Sequence, residues 1–208
     1  MWYDLFSLVY DRALEDLYAP FRPAAIEALR LSEGAVVLDV PCGTGQSLGR
    51  LVQAVGPAGA VMGIDASRGM LRRARRRVEQ AGWNTVTLHH ATAADVDPAL
   101  LAGTPASADG PDAILCALGL TALPDWEATF ERLFGLLRPG GRFSLFDVYA
   151  AERTMETWSV ELVARADLSR EAWRPLEAHC ADAERVILPA DPKVFGGDLY
   201  VASGTKAG

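Results

Sequence analysis

"VLDVPCGTGQS", residues 37–47, is the stretch that decides the fold of this chain. An apolar run ends in a carboxylate, Asp39, and two glycines follow at Gly43 and Gly45. Glycine has no Cβ, so it permits a positive φ and lets a ligand approach the main chain closely. A strand, an acid, a Gly-rich turn and then a helix is how a doubly wound fold builds a nucleotide-type cofactor site. The stretch therefore predicts the first strand, turn and helix of such a site.

The rest of the chain alternates apolar strands with amphipathic helices. Strands are predicted at residues 35–40, 60–65, 85–90, 113–119 and 142–148, and helices at 46–55, at 67–82 and after Asp125. A helical stretch at about 155–180 precedes two further strands, at 185–191 and 197–204, which read as a hairpin at the sheet edge. This order predicts an α/β fold with a doubly wound, mostly parallel sheet and an antiparallel C-terminal hairpin strand.

Length and composition bound the class of protein. The chain has 208 residues, 50% of them hydrophobic and 23% charged, which predicts one ordinary globular domain with a full core. Its formal net charge is −7, and general binding to nucleic acid or to an anionic membrane needs a basic surface. The arginine-rich run at 72–77 is interpreted as the solvated face of a helix. We expect no nucleic-acid partner and at most peripheral contact with a membrane.

The cysteines and the first residues favour a cytoplasmic protein. Cys42, Cys116 and Cys180 are far apart and odd in number, with no CxxC pair, so no metal site is predicted. The N-terminus carries acids early and has no basic n-region, unlike a signal peptide. The longest stretch without a charged residue, 80–94, is too short and too polar to span a bilayer. A reducing cytoplasm is the simplest compartment.

A second acid and the spacing of the turn indicate the class of ligand. Asp65 ends the second strand, where an acid is placed to accept hydrogen bonds from two ribose hydroxyls. The dinucleotide fingerprint G-x-G-x-x-G fails because Leu48 stands at its third position. The spacing is instead D-x-P-x-G-x-G from Asp39, and a carboxylate there repels pyrophosphate but suits a cation. The sequence predicts a ligand that carries both a ribose and a positive charge.

Three stretches of the chain resemble successive motifs of class I S-adenosylmethionine-dependent methyltransferases. They are "VLDVPCGTG" (37–45), "GIDASRGML" (63–71) and "LFGLLRPGGRFSLFD" (133–147). The resemblance spans roughly residues 1–205 and implies a seven-stranded, Rossmann-like sheet whose last strand is antiparallel. It implies S-adenosylmethionine as cofactor and S-adenosylhomocysteine as product. It further implies one domain, 1–208, made of a helical lid (1–33), a cofactor-binding core (34–150), and a short cap with the hairpin (151–208).

The same resemblance assigns roles to the residues that match its motifs. Asp39 would lie beneath the methionine amino group, Asp65 would hold the ribose hydroxyls, and Met70 would pack on adenine. The other cofactor contacts it implies are Pro41, Cys42, Gly43, Thr44, Gly45, Ala66, Thr92, Ala93, Cys116 and Leu118. Two positions depart from the family pattern. Pro41 replaces its first glycine, and Thr92 stands where an acid usually bonds the adenine amino group, with Asp95 as the alternative.

The acceptor side is less defined by sequence. The segment "WYDLFSLVYD" (2–11) resembles the leading helix of the quinone- and phospholipid-methylating branches, which covers the cofactor and helps to wall the substrate pocket. Tyr10 is therefore a candidate for cofactor contact and for catalysis; the alternative is that these aromatic residues only pack their helix on the domain. Asp147, at the end of the fifth strand, is the other candidate proton acceptor.

These observations predict methyl transfer to nitrogen or oxygen of a small molecule, for which an amphiphile is a candidate. The cap of about thirty residues is too short for a folded substrate domain, and we expect a monomer or a homodimer. Two alternatives remain. One is a non-catalytic module that binds S-adenosylmethionine or S-adenosylhomocysteine and regulates a partner. The other is a nicotinamide-dependent reductase, which Leu48 and the lack of a Tyr-x-x-x-Lys pair disfavour.

Overall fold

A seven-stranded sheet forms the centre of the molecule. The structure is a computed structural model that describes residues 17–102, 104 and 109–208. The strands are β1 (Val36–Asp39), β2 (Ala60–Asp65), β3 (Val86–His90), β4 (Ala113–Ala117), β5 (Arg142–Tyr149), β6 (Glu184–Ile187) and β7 (Asp198–Thr205). Their order is β3-β2-β1-β4-β5-β7-β6. The first five strands pair in parallel, and β7 is antiparallel to both of its neighbours. The predicted fold class is confirmed.

Helices cover both faces of this sheet. They are α1 (Arg22–Glu27), α2 (Leu48–Val55), α3 (Arg68–Ala81), α4 (Pro98–Leu101), α5 (Trp126–Leu136), α6 (Met155–Ala164), α7 (Arg174–His179) and α8 (Pro192–Phe195), with 3₁₀-helices at Ala93–Asp95 and Leu120–Ala122. One apolar core lies between the sheet and the side that carries α1 and α2, and the other lies on the side of α5 and α7. Strands buried on both faces, such as β4, are accordingly apolar throughout. Within the described ranges, no helix combines the length and the apolarity that crossing a bilayer requires.

The strand order reverses between β1 and β4. From β1 the chain builds outward through β2 and β3, and it then returns to place β4 on the other side of β1. Loops that leave the carboxyl ends of β1 and β4 therefore diverge in opposite directions and open a crevice between them. In open α/β sheets, ligands bind at such a crevice. The fold thus brings the loop after Asp39 next to the loop after Ala117.

Several element boundaries differ from the prediction. The predicted hairpin at the sheet edge is confirmed, with β7 paired to β5 and β6 as the outermost strand, but β6 ends at Ile187 rather than at 191. The predicted helical stretch at 155–180 is two helices, since Arg165 adopts a left-handed φ of 52° and ends the first of them. The strand predicted at 113–119 ends at Ala117, where Leu118 turns with a φ of 57°. Most of the predicted helical lid, residues 1–16, lies outside the described residues.

Candidate cofactor site

A cavity of about 460 Å³ opens at the carboxyl ends of β1, β2 and β4. Ten residues that the sequence assigned to the cofactor line it: Pro41, Cys42, Gly43, Thr44, Asp65, Ala66, Met70, Thr92, Ala93 and Leu118. The remaining lining residues are Tyr18, Arg22, Val40, Gln46, Ile64, Ser67, Ala117, Gly119, Ala122 and Leu123. Three assigned cofactor residues, Asp39, Gly45 and Cys116, lie behind this lining. Tyr10 lies outside the described residues.

Asp39 lies beneath the cavity, directly before the lining residue Val40. Its side chain is fully buried, and among the described residues neither carboxylate oxygen has a hydrogen-bond partner. The pKa of Asp39 is raised from 3.8 to about 7, mainly because the carboxyl group is buried; the charge of Arg22 opposes this rise and the charge of Asp65 adds to it. A buried carboxylate without hydrogen bonds is unfavourable unless a cation compensates it. This region of the site therefore suits a positively charged group.

Arg22 is a site residue that sequence reasoning missed. It begins α1, lines the cavity, and donates from Nη1 to Ser47 Oγ at 3.3 Å. Among the lining residues that the structure describes, it is the one Arg or Lys. No sequence motif connects Arg22 to Asp39, because the position of Arg22 depends on how α1 packs beside α2. Two other lining side chains, Thr44 and Gln46, each bury an oxygen that has no partner in the described part of the chain.

Asp65 ties the glycine turn to the helix that follows β2. Its Oδ2 accepts from Gly43 N at 2.9 Å and its Oδ1 accepts from Ser67 N at 2.8 Å. Ser67 in turn caps α3 by accepting from Met70 N at 3.2 Å, which fixes Met70 in the cavity wall. A carboxylate oxygen can accept a second hydrogen bond. Asp65 can therefore hold the turn and still accept from a ligand hydroxyl.

The two glycines of the turn have different roles. Gly43 has a φ of 56°, lines the cavity, and would carry a Cβ with no heavy atom within 4 Å. Gly45 has a φ of 83°, and its Cβ would come within 2.7 Å of Leu48 Cδ1 and 3.3 Å of Ala74 Cβ. Both glycines have the positive φ that the sequence predicts, but Gly45 does not line the cavity, and its contact with a ligand stays a prediction. Its lack of a side chain lets α2 and α3 pack closely.

We expect Gly45→Ala to destabilise the fold by about 2–4 kcal/mol, because overpacking adds to left-handed strain. Gly43→Ala should lose only about 1 kcal/mol, since its Cβ meets open space and only the conformation is strained. Urea denaturation of both variants measures the difference. Equal losses at the two positions would show that packing against Leu48 and Ala74 does not distinguish them.

Thr92 and Asp95 form one hydrogen-bonded pair at the predicted adenine end. Thr92 lines the cavity, its Oγ1 donates to Asp95 Oδ2 at 2.6 Å, and Asp95 N donates back to it at 3.2 Å. Ala93, the next residue, also lines the cavity, whereas Asp95 does not. The geometry places Thr92 nearer than Asp95 to any ligand in the cavity. Which of the two contacts adenine stays a prediction.

Asp147 does not lie where a proton acceptor for the substrate would be needed. It is 2% exposed, does not line the cavity, and accepts from Thr121 Oγ1 at 2.8 Å and from Val148 N at 2.9 Å. Burial raises its pKa to about 6, although these hydrogen bonds lower it. This placement disfavours Asp147 as a catalytic base, and its role stays a prediction. Cys116 is also buried outside the lining, whereas Leu118, which was assigned with it, lines the cavity next to Ala117; a main-chain contact from Cys116 stays a prediction.

Comparisons with known proteins agree with this geometry. A family model described as a methyltransferase domain matches residues 37–141, half of the chain. The chain belongs to this methyltransferase family. The resemblance to class I S-adenosylmethionine-dependent methyltransferases is thereby confirmed, since the matched region contains the glycine turn, Asp65 and the strand-order reversal.

Individual relatives are more distant. A demethylmenaquinone methyltransferase of Listeria welshimeri is 29% identical over 131 residues, which are 63% of this chain and 52% of the relative. The chain thus spans about half the length of the curated relatives that it matches. An S-adenosylmethionine-dependent methyltransferase from Aquifex aeolicus has a TM-score of 0.61 at 20% identity, with 89% of each chain covered. A geranyl diphosphate C-methyltransferase from Streptomyces coelicolor has a TM-score of 0.70 at 15% identity, covering 92% of this chain and 76% of that one. At identities of 20% and 15%, these two structures show only that this chain has the same fold.

Proposed function

We propose that this chain transfers a methyl group from S-adenosylmethionine to a small, largely apolar acceptor. The observation that carries the proposal is the pairing of opposite charges at the cavity. Asp39 is a buried carboxylate that accepts no hydrogen bond from the residues that the structure describes, and it lies close enough to the Arg22 guanidinium for that charge to lower its pKa. A free amino acid carries an ammonium and a carboxylate on one carbon. Asp39 and Arg22 offer the complementary charges to such a group.

The other lining residues fit the rest of the same ligand. Asp65 would accept from the ribose hydroxyls, and Met70 with Ile64 would pack on the adenine ring. When bound, S-adenosylmethionine supplies a methyl group already activated on a sulfonium sulfur, so the protein needs no covalent intermediate. Burial also raises the pKa of the Cys42 thiol well above its ordinary value, so this lining cysteine is uncharged at neutral pH and a poor nucleophile.

The acceptor end of the cavity is apolar. We assign to its wall the lining residues Tyr18, Ala117, Leu118, Ala122 and Leu123. Such a wall excludes water and orients an acceptor by shape rather than by charge. The demethylmenaquinone relatives suggest an aromatic acceptor, and the geranyl diphosphate enzyme is a carbon methyltransferase. We therefore add carbon to nitrogen and oxygen as candidate acceptor atoms.

The proposal is tested in two steps. Calorimetry with S-adenosylmethionine, S-adenosylhomocysteine and NADPH should show binding of the first two alone; binding of NADPH alone would contradict the proposal. Mass spectrometry should then detect a deuterated methyl group on one member of a panel of reduced demethylnaphthoquinones, phenols and amines incubated with deuteromethyl-labelled cofactor. Cofactor binding without transfer to any acceptor would favour the regulatory module instead.

Arg22→Gln should weaken binding of S-adenosylhomocysteine by about tenfold or more, the usual scale for losing a hydrogen bond to a charged group. Binding of 5′-methylthioadenosine, which lacks the amino acid portion, should not change. Calorimetry of both ligands gives the comparison. Arg72→Gln, an exposed arginine outside the cavity, is the control and should alter neither affinity. Parallel losses for both ligands would show that Arg22 acts on the fold and not on the carboxylate.

A further inference from the structure

We propose that residues 118–123, here called the acceptor loop, are held by a two-sided clamp that positions the acceptor for reaction. One side of the clamp is Asp147 of β5, and the other is Arg170 of the segment between α6 and α7. Neither residue lines the cavity, so both act through Thr121, at the middle of the loop. They are positioning residues. The inference rests on the proposed function, because the loop forms the acceptor wall.

The acceptor loop is held in an uncommon conformation against the cofactor turn. Leu118 has a left-handed φ of 57°, and its N–H donates to Phe146 O at 2.7 Å. A Cβ on Gly119 would collide with the ring of Pro41, so the loop backbone lies directly on the turn after β1. Leu118, Ala122 and Leu123 line the cavity. A movement of this loop would therefore shift the acceptor wall relative to the cofactor.

The sheet side of the clamp is fully buried. Thr121 Oγ1 donates to Asp147 Oδ1 at 2.8 Å, and Thr121 N reaches Asp147 Oδ2 at 3.4 Å. Both side chains are 2% exposed. Asp147 is itself fixed because Val148 N donates to its Oδ1. Buried hydrogen bonds to a carboxylate are among the stronger ones in proteins, so they tie the loop to the rigid sheet.

The cap side holds the same residue through its carbonyl oxygen. Thr121 O accepts from Asp167 N at 2.9 Å and from Arg170 Nη1 at 3.1 Å. The same Nη1 donates to Leu123 O, and the guanidinium is oriented by an ion pair with Asp167 at 3.4 Å. Thr121 thus bonds to the sheet through its hydroxyl and to the cap through its carbonyl. The loop is restrained from both directions without any contact between the clamp and a ligand.

The clamp predicts a specific kinetic signature. Thr121→Val removes the hydroxyl and keeps the side-chain shape. Arg170→Met removes the guanidinium hydrogen bonds to Thr121 O and Leu123 O and leaves only the one from Asp167 N. Each variant should lower kcat by about tenfold, because a misplaced acceptor reacts slowly. The S-adenosylhomocysteine Kd should stay within about twofold, because Leu118, the loop residue assigned to the cofactor, keeps its own hydrogen bond to Phe146 O. Thr121→Ser keeps the hydroxyl and should therefore keep the wild-type kcat. The fold-decrease in kcat of the variant that combines Thr121→Val with Arg170→Met should be smaller than the product of the two single decreases, since both substitutions act through Thr121.

Hydrogen exchange tests the clamp without relying on activity. In the complex with S-adenosylhomocysteine, the amides of Ala122 and Leu123, which donate within the loop, should exchange about tenfold faster in either variant. Exchange at residues 42–45 should stay unchanged. Unchanged exchange in the loop would overturn the clamp, and so would equal losses of kcat and cofactor affinity. Absence of methyl transfer by the wild type would instead overturn the proposed function. Should Thr121→Val fail to fold, Arg170→Met carries the test, because its side chain is partly exposed.

Discussion

Asp39→Asn is expected to weaken binding of S-adenosylhomocysteine by about ten- to a hundredfold and to make the ligand-free protein more stable. The two effects have one cause. The carboxylate is buried, its oxygens accept no hydrogen bond in the described structure, and the nearby charge of Arg22 offsets only part of the cost of burial, so the ionised form is unfavourable until a ligand cation adds to it. An asparagine has nearly the same shape without the charge. The variant therefore loses the attraction to an ammonium group and also loses the cost of burying the charge.

The pH dependence of stability follows from the raised pKa of Asp39 in the folded protein. Burial raises the pKa of Asp39 from 3.8 to about 7 in the folded protein. A group with a raised folded pKa stabilises the fold below its unfolded pKa, and this contribution is lost as the pH rises through the folded pKa. The advantage of Asp39→Asn should thus grow from about pH 4 to pH 7 and reach a few kcal/mol above pH 7. Urea denaturation at a series of pH values measures it.

The affinity for S-adenosylhomocysteine should also depend on pH. Because the ammonium group favours ionised Asp39, wild-type affinity for S-adenosylhomocysteine should fall as the pH is lowered from 7 to 5. The affinity of Asp39→Asn should be flat over that range, and 5′-methylthioadenosine should bind wild type and variant alike. If the variant were less stable at pH 8 and bound S-adenosylhomocysteine normally, Asp39 would be a structural residue and the proposed charge pairing would be wrong.

The residues that sequence reasoning located best lie at the carboxyl ends of strands. Asp39 and Asp65 each end an apolar run, and parallel strands bring such positions to one edge of the sheet. Their placement therefore depends only on local pattern and on the strand order. The position of Gly43 can be predicted in the same way, since the turn that contains it follows directly from the end of β1.

The positions of the assigned residues that do not line the cavity depend on information that local pattern does not carry. Every residue of β5 except Tyr149 is buried, so no alternation indicates which face Asp147 occupies. Asp147 pairs with Tyr200 of β7. Its carboxylate accepts a hydrogen bond from Thr121, in the loop after β4, and does not face the cavity. Cys116 lies one residue before the lining residue Ala117, and β4 is buried throughout, so no alternation of apolar and polar residues indicates which of the two reaches the cavity. Arg22 was missed because its role arises only when α1 packs against α2.

Arg142→Met is expected to cost about 3–5 kcal/mol of unfolding free energy, because it removes a buried guanidinium that makes five hydrogen bonds and leaves its buried acceptors without a donor. The Arg142 side chain is 6% exposed. Its Nε donates to Ala28 O at 2.6 Å, and its two Nη atoms reach Asp182, Glu184, Ser203 and Thr205 at 2.7–2.9 Å. One guanidinium thus joins β5 to β7, to the start of β6 and to the end of α1.

The loss should come mainly from the acceptors that water cannot reach. Asp182 and Glu184 have side chains that are 45% and 47% exposed, so they can rehydrate once the guanidinium is gone. Ser203 is 1% exposed and would lose a buried donor. Arg174→Met is the matched control. Its ion pairs with Glu171 and Glu177 are exposed, so it should show no resolvable change.

Ligand binding separates this effect from one on the site. Arg142 begins β5 and pairs with Ala113 at the start of β4, so it lies at the amino ends of the parallel strands, opposite the cavity. Folded Arg142→Met should therefore bind S-adenosylhomocysteine with wild-type affinity, while urea denaturation shows the lower stability. A stability loss no larger than that of Arg174→Met would mean that the exposed carboxylates rehydrate at no net cost. The buried cluster would then contribute to the specificity of strand pairing rather than to the stability of the fold.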